Sequence, residues 1–138
     1  MEDGERIGRG LPGRRTIYLW NRAFDNSGPR LLEVWVRTKL DGVYWETSEG
    51  TREYKTGAVA DDQVCLVVPF GVASEGKRYV PPEAYRELAC PEQEEVWSLQ
   101  PGDKVSLSGE GGAYIITRVK TFDYGSPALR HWEVSAKV

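Results

Sequence analysis

Histidine occurs once in this chain, at His131, and cysteine twice, at Cys65 and Cys90. A single imidazole cannot build a multi-histidine metal site, and any Ser-His-acid or Cys-His centre would have to use His131. That residue sits between Arg130 and Trp132 at the start of a strand-like run, with no nucleophile motif elsewhere. We expect it in a structural or surface role. Two cysteines without metal-type spacing make neither a disulfide framework nor a zinc site. Both are expected to be reduced thiols of a protein made in a cytoplasm, with Cys65 buried as a small hydrophobe inside an apolar run.

Long apolar runs are missing as well. The longest, Val64 to Phe70, falls far short of the ~20 residues a membrane helix needs, so no membrane partner is expected. The start, Met1-Glu2-Asp3-Gly4-Glu5-Arg6, has acidic charges and no apolar stretch behind them, and we expect no secretory leader. Nor is there an excess of positive charge. The net charge of −3 gives no chain-wide field for nucleic acid or anionic membranes, although a local patch is compatible with it. Acids cluster at Asp61-Asp62 and at Glu92, Glu94 and Glu95, without the spacing of a calcium loop, and read as solvated faces. Gly109-Glu110-Gly111-Gly112 sits between strand-like runs rather than opening a helix, so it reads as a hairpin turn and not a phosphate cradle.

What the chain does have is aromatic bulk: five Trp, seven Tyr and three Phe in 138 residues, enough to fill the core of one domain. Residues 1–15 hold four Gly and four Arg with little apolar surface, and read as an arm that is flexible when free. Residues 16–138 read as a single β domain. Thr16 to Trp20 is a strand, Asp25 to Pro29 a turn, and Leu32 to Thr38 alternates with period two. Asp41-Gly42 predicts a tight turn into Val43 to Thr47, pairing Trp35 with Trp45 across a hairpin or on its surface. Residues 48–63 read as a polar loop, with at most a short ribbon near Tyr54. Val64 to Phe70, apolar at every other position and between, predicts a strand buried on both faces.

A loop through Gly76-Lys77-Arg78 leads to Pro81-Pro82, which predicts one short helix stopped by Pro91. Strand-like runs follow at 96–99, 104–108, 113–122 and 131–136, with turns between them. The fold class is mainly β: a small barrel or sandwich of about seven strands with one short helix and long loops. Tyr18, Trp20, Trp35, Tyr44 and Trp45 are candidates for a stacking platform, or else core and interface residues. Arg22 and Arg37 lie among them and lend weak support to the platform.

Two segments carry a family resemblance. Arg37-Thr38-Lys39-Leu40-Asp41-Gly42-Val43-Tyr44-Trp45 and the ending Val119 to Val134 resemble small structural proteins of tailed phages of Firmicutes-type hosts. Tyr79 to Tyr85 and Trp97 to Asp103 follow the same order of elements, whereas the loops and the arm do not match. The resemblance implies a head–tail connector subunit of the head-completion or stopper kind, located in the virion neck. It would close into a ring with copies of itself, between portal or adaptor and tail proteins, with DNA passing through. It also implies no cofactor and no reaction.

Candidate contacts with a neighbour or with DNA are Arg6, Arg9, Arg14 and Arg15 of the arm, and Tyr54, Lys77 and Arg78 in the loops 48–63 and 71–82. Tail terminator and minor capsid protein stay open as alternatives. So do a non-viral barrel that binds nucleic acid or a ligand, and a carboxylate-dependent hydrolase.

Overall fold

The computed structural model describes residues 14–54, 57–111 and 114–138. The arm's residues 1–13, with Arg6 and Arg9, lie outside them. Arg14 and Arg15 do not belong to an arm: they open the first strand. Along β1 (Arg14–Asp25), Ile17, Leu19, Asn21 and Ala23 are buried while Tyr18, Trp20, Arg22 and Phe24 face outward, the period-two signature of a wall with one wet side. β1 pairs antiparallel with β2 (Leu32–Tyr54), from Asp25↔Leu32 at one end to Arg14↔Tyr44 at the other.

Asp41-Gly42 makes a bulge inside β2, where the sequence predicts a turn. The register shifts between Arg15 and Thr16, and Gly42 absorbs the extra residue at φ +95°, a conformation that favours glycine. The Thr16 hydroxyl donates to the Asp41 carboxylate across the bulge. One extra residue inverts the facing of everything after it. Trp35 therefore points outward and Trp45 inward, on the same strand, so they are not a cross-strand pair.

β3 (Gly57–Pro69) pairs with β2 through Tyr54↔Gly57 to Tyr44↔Val67. Its apolar run has one buried face, not two: Val64, Leu66 and Val68 enter the core, while Cys65 is exposed between Glu46 and Ser135 on the neighbouring strands. A closed barrel has a single interior, so alternate residues of any wall strand must leave it.

β4 (Arg78–Tyr79) and β5 (Val96–Trp97) form a separate two-stranded parallel pair. Between them lie α1 (Pro82–Glu87) and α2 (Cys90–Gln93). The described residues thus hold two short α-helices rather than one. Pro91 falls in the first turn of α2, where its missing donor costs nothing, and the Ala89 N–H donates to Glu92 Oε1 at 3.1 Å.

β6 (Lys104–Ser106), β7 (Tyr114–Phe122) and β8 (His131–Lys137) complete the wall, with a 3-10 turn at Pro127–Leu129. The order β1-β2-β3-β8-β7-β6 closes into a barrel, because β6 also pairs with β1. Its interior is filled by Leu19, Leu40, Val43, Leu66, Ile116, Val134 and their neighbours, with Trp97 and Trp132 toward the β4–β5 side. Val80, Tyr85 and Val96 form a second cluster under α1.

Candidate functional site

Three features of this barrel lie outside what packing alone requires. The first is a ribbon. β3 pairs with β8 only from Gln63↔Lys137 to Pro69↔His131, and β1 leaves β2 at Tyr44. Residues 49–54 and 57–62 therefore pair only with each other among the described residues. The expected loop is a two-stranded projection, with Tyr54 as the last residue of β2. Such a ribbon alone is marginal in water.

The second feature is a pair of apolar patches at opposite ends of the β1–β2 ladder. Phe24, Leu31 and Leu32 stand at the Asp25↔Leu32 end, with Leu31 65% exposed. Near the Arg14↔Tyr44 end, Tyr44, Val67 and Pro69 face Phe122, Tyr124 and Leu129 across a cavity of about 450 Å³. The ring of His131 stacks on Phe122 at 4.8 Å between centroids. Its Nδ1 is 2.7 Å from the Leu129 carbonyl and its Nε2 3.3 Å from a Glu133 oxygen. The histidine braces this corner.

The third feature is a face of alternating rings and cations on β6, β1 and β2. Trp20 stands opposite Arg37 on one side and Lys104 on the other; Arg22 stands opposite Trp35, and Tyr18 opposite Lys39. Of the five aromatics proposed as a platform, the fold keeps Tyr18, Trp20 and Trp35 on this face. It sends Trp45 into the core against Tyr114 and places Tyr44 at the far cavity. Lys104 was not anticipated, although its alternation with buried Val105 marks it as outward-facing.

The remaining candidate contacts are dispersed. Arg14 and Arg15 line a groove with Thr16, Asp41, Gly42 and Gly71, and the Arg14 guanidinium lies over Gly42. Lys77 is tied down: its Nζ donates to the Arg37 carbonyl at 2.8 Å and to Thr38 Oγ1 at 3.0 Å. Burial lowers the Lys77 pKa from its ordinary value. The segment 71–82 is thus strapped to β2, helped by the Asp41 N–H donating to the Ala73 carbonyl at 2.9 Å. Arg78 is exposed on β4.

One polar centre escaped sequence reasoning. Asn21 and Asp103 are buried beside Ser98. Asp103 accepts from Asn21 Nδ2 at 2.8 Å and from the Arg22 N–H at 3.0 Å. Burial nevertheless outweighs these bonds and pushes the Asp103 carboxyl up from 3.8 to about 6. A carboxyl raised on folding adds stability in full below its unfolded value, and that stability is lost as pH rises through the folded value. The rise from 3.8 to about 6 corresponds to about 3 kcal/mol. Urea unfolding from pH 3.5 to 8 should show wild type losing about this much relative to Asp103→Asn. Parallel curves for the two proteins would refute a raised Asp103.

Among the described residues no group of three or more His, Cys, Asp or Glu is placed to hold a metal ion. No helix there is long and apolar enough to cross a membrane. Comparison with curated proteins gives no match. A family model described as "Family of unknown function (DUF6751)" matches residues 13–137, almost the whole barrel chain, and the protein therefore belongs to that family.

Proposed function

We propose that this chain is a structural subunit of a tailed-phage virion: a head–tail connector of the head-completion or stopper kind that closes into a ring with its own copies. In that ring it joins the portal or adaptor to the tail. The observation that carries the reading is the ribbon of residues 49–54 and 57–62, which leaves the barrel with both its edges unpaired among the described residues. Exposed edges are templates for pairing, and a ribbon of marginal stability gains most from a neighbour or a lumen that orders it. The sequence resemblance supplies the location.

The two apolar patches support the same reading. They differ in shape, one a protruding knob at Leu31 and the other a cavity beside Tyr124, and they lie at opposite ends of one ladder. Unlike patches meeting head to tail generate a ring when the rotation closes.

Purified particles from the phage that encodes the chain provide the test. Mass spectrometry and particle imaging should find the protein in multiple copies at the neck. Replacing residues 49–62 by a two-residue Asn-Gly turn between Ser48 and Gln63 should leave a folded barrel while giving heads that fail to join tails. Absence of the chain from virions, or normal joining by the shortened protein, would sink the proposal.

A further inference from the structure

The outer face of β6-β1-β2 alternates two chemistries, aromatic rings and cations. Its outward residues are Tyr18, Trp20, Arg22 and Phe24 on β1, Glu33, Trp35, Arg37 and Lys39 on β2, and Lys104 on β6. Four are aromatic and four cationic. Glu33 is the single acid in these rows, and it pairs with Arg22 at 3.5 Å. Glu75 and Glu94 approach the β2 edge, at the Lys39 N–H and beside Trp35 and Arg37. These acids sit at the rim and the cations outnumber them on the face itself, on a chain of net charge −3.

The cations lie over the rings. Lys104 Nζ reaches across β1 to sit 4.6 Å from the Trp35 centroid, Arg37 lies 5.4 Å from that of Tyr18, and Arg22 5.8 Å from that of Phe24. Tyr18 and Trp20 have centroids 6.3 Å apart. These contacts keep the cations on the wall, within reach of an anion lying along it. The loop at Gly109 forms one rim: its carbonyl accepts from Arg37 Nη1 at 2.8 Å, and a Cβ on Gly109 would stand 3.2 Å from the Tyr18 ring.

We propose that this face binds single-stranded nucleic acid, with a base stacked on Trp20 and others displacing Lys104 and Arg22 from Trp35 and Phe24, so that these cations and Arg37 turn to the phosphate backbone. The ring–cation alternation favours this occupant over the two nearest competitors. A duplex keeps its bases stacked inside and offers the rings nothing, whereas an unpaired strand presents a π-face at every nucleotide. An acidic protein segment would use the cations and leave the rings unused. The proposal does not depend on the connector reading: the face lies on the barrel wall, apart from the ribbon, and shares only Phe24, at its edge, with the apolar patches.

Fluorescence anisotropy of the full chain with a labelled oligo-dT of about 12 nucleotides tests it. Binding should quench tryptophan emission and weaken steeply as salt rises. Trp20→Ala and Trp35→Ala should each weaken binding about tenfold or more. Lys104→Ala should reduce the slope of log affinity against log salt by about one. Lys120→Ala, on β7 away from the face, should leave binding unchanged.

Thermal melts show which variants are folded. If the tryptophan variants are destabilised, Lys104→Glu reads the face without removing a ring and should abolish binding. Four results would overturn the proposal: no salt-sensitive binding of oligo-dT, equal loss with Lys120→Ala, equal affinity for the matching duplex, or equal affinity for poly-glutamate, which would point to an acidic protein partner instead.

Discussion

Trp132→Ala is expected to destabilise the protein by about 3–5 kcal/mol, the cost of emptying a large aromatic site that cannot collapse. Trp132 points inward from β8 and is 4% exposed. Its ring centroid lies 4.3 Å from that of Phe70, 4.3 Å from Tyr79 and 5.5 Å from Trp97, the last nearly perpendicular at 74°. These rings come from four places: the barrel wall, the end of β3, β4 and β5. Removing the central one loosens the joint between the barrel and the β4–β5 pair as well as leaving a void.

The barrel strands on one side of that void are each paired on both edges, which limits relaxation there. Among the described residues β4 and β5 pair only with each other, so the cost should fall within this range. The midpoint of thermal unfolding should drop by about 10–20 °C. Trp132→Phe, which keeps a ring against Phe70 and Tyr79, should cost much less. A loss below about 1 kcal/mol for Trp132→Ala would mean that the four rings do not share one core.

Much of this architecture is legible in the sequence, where it depends on neighbours along the chain. Period-two alternation marks β1, the first part of β2, β6 and β8. The turn at 26–31 follows from Asn26, Ser27, Gly28 and Pro29. What closes the barrel is not local. Lys104↔Trp20 and Gln63↔Lys137 join residues far apart in sequence, and no pattern in either strand names its partner. The same blindness explains Cys65. An apolar run looks buried on both faces until the topology shows that only one face has anything to pack against.

Asp41-Gly42 illustrates a different limit. The dipeptide signals a backbone that needs positive φ at glycine, and that need is met here, at φ +95°. A two-residue hairpin and a bulge both satisfy it, so the dipeptide cannot choose between them. The choice decides the site. With a turn, the strand would double back at Gly42 and lay 43–47 beside 36–40; with a bulge, it runs on, Trp45 is buried and Trp35 joins Trp20 and Lys104 outside. The ribbon was hidden for a different reason: residues 48–63 carry no hydrophobic alternation in the sequence and so read as a loop.

Asn21→Leu should be the most damaging polar substitution in the described chain, at about 3–5 kcal/mol near neutral pH, comparable to breaking a buried charged pair. Asn21 is fully buried on an inward position of β1, where its alternation with Leu19 and Ala23 would suit an aliphatic residue. Its Nδ2 donates to the Ser98 carbonyl at 2.7 Å and to Asp103 Oδ2 at 2.8 Å, and its Oδ1 accepts from the Ser98 N–H at 3.2 Å. Leucine has nearly the right bulk and none of these groups. It would orphan both backbone groups of Ser98, at about 1–3 kcal/mol for each buried unpaired group, and strip a donor from a buried carboxylate.

The last of these losses is pH-dependent. Without Nδ2 the charged form of Asp103 is less favoured, so its pKa should climb further above about 6, and the penalty should shrink once the group is protonated. Urea unfolding of Asn21→Leu and wild type should therefore differ more at pH 8 than at pH 5. A difference independent of pH would show that Asn21 does not support the Asp103 charge. A difference near zero at both values would show that the barrel holds Ser98 in place without it.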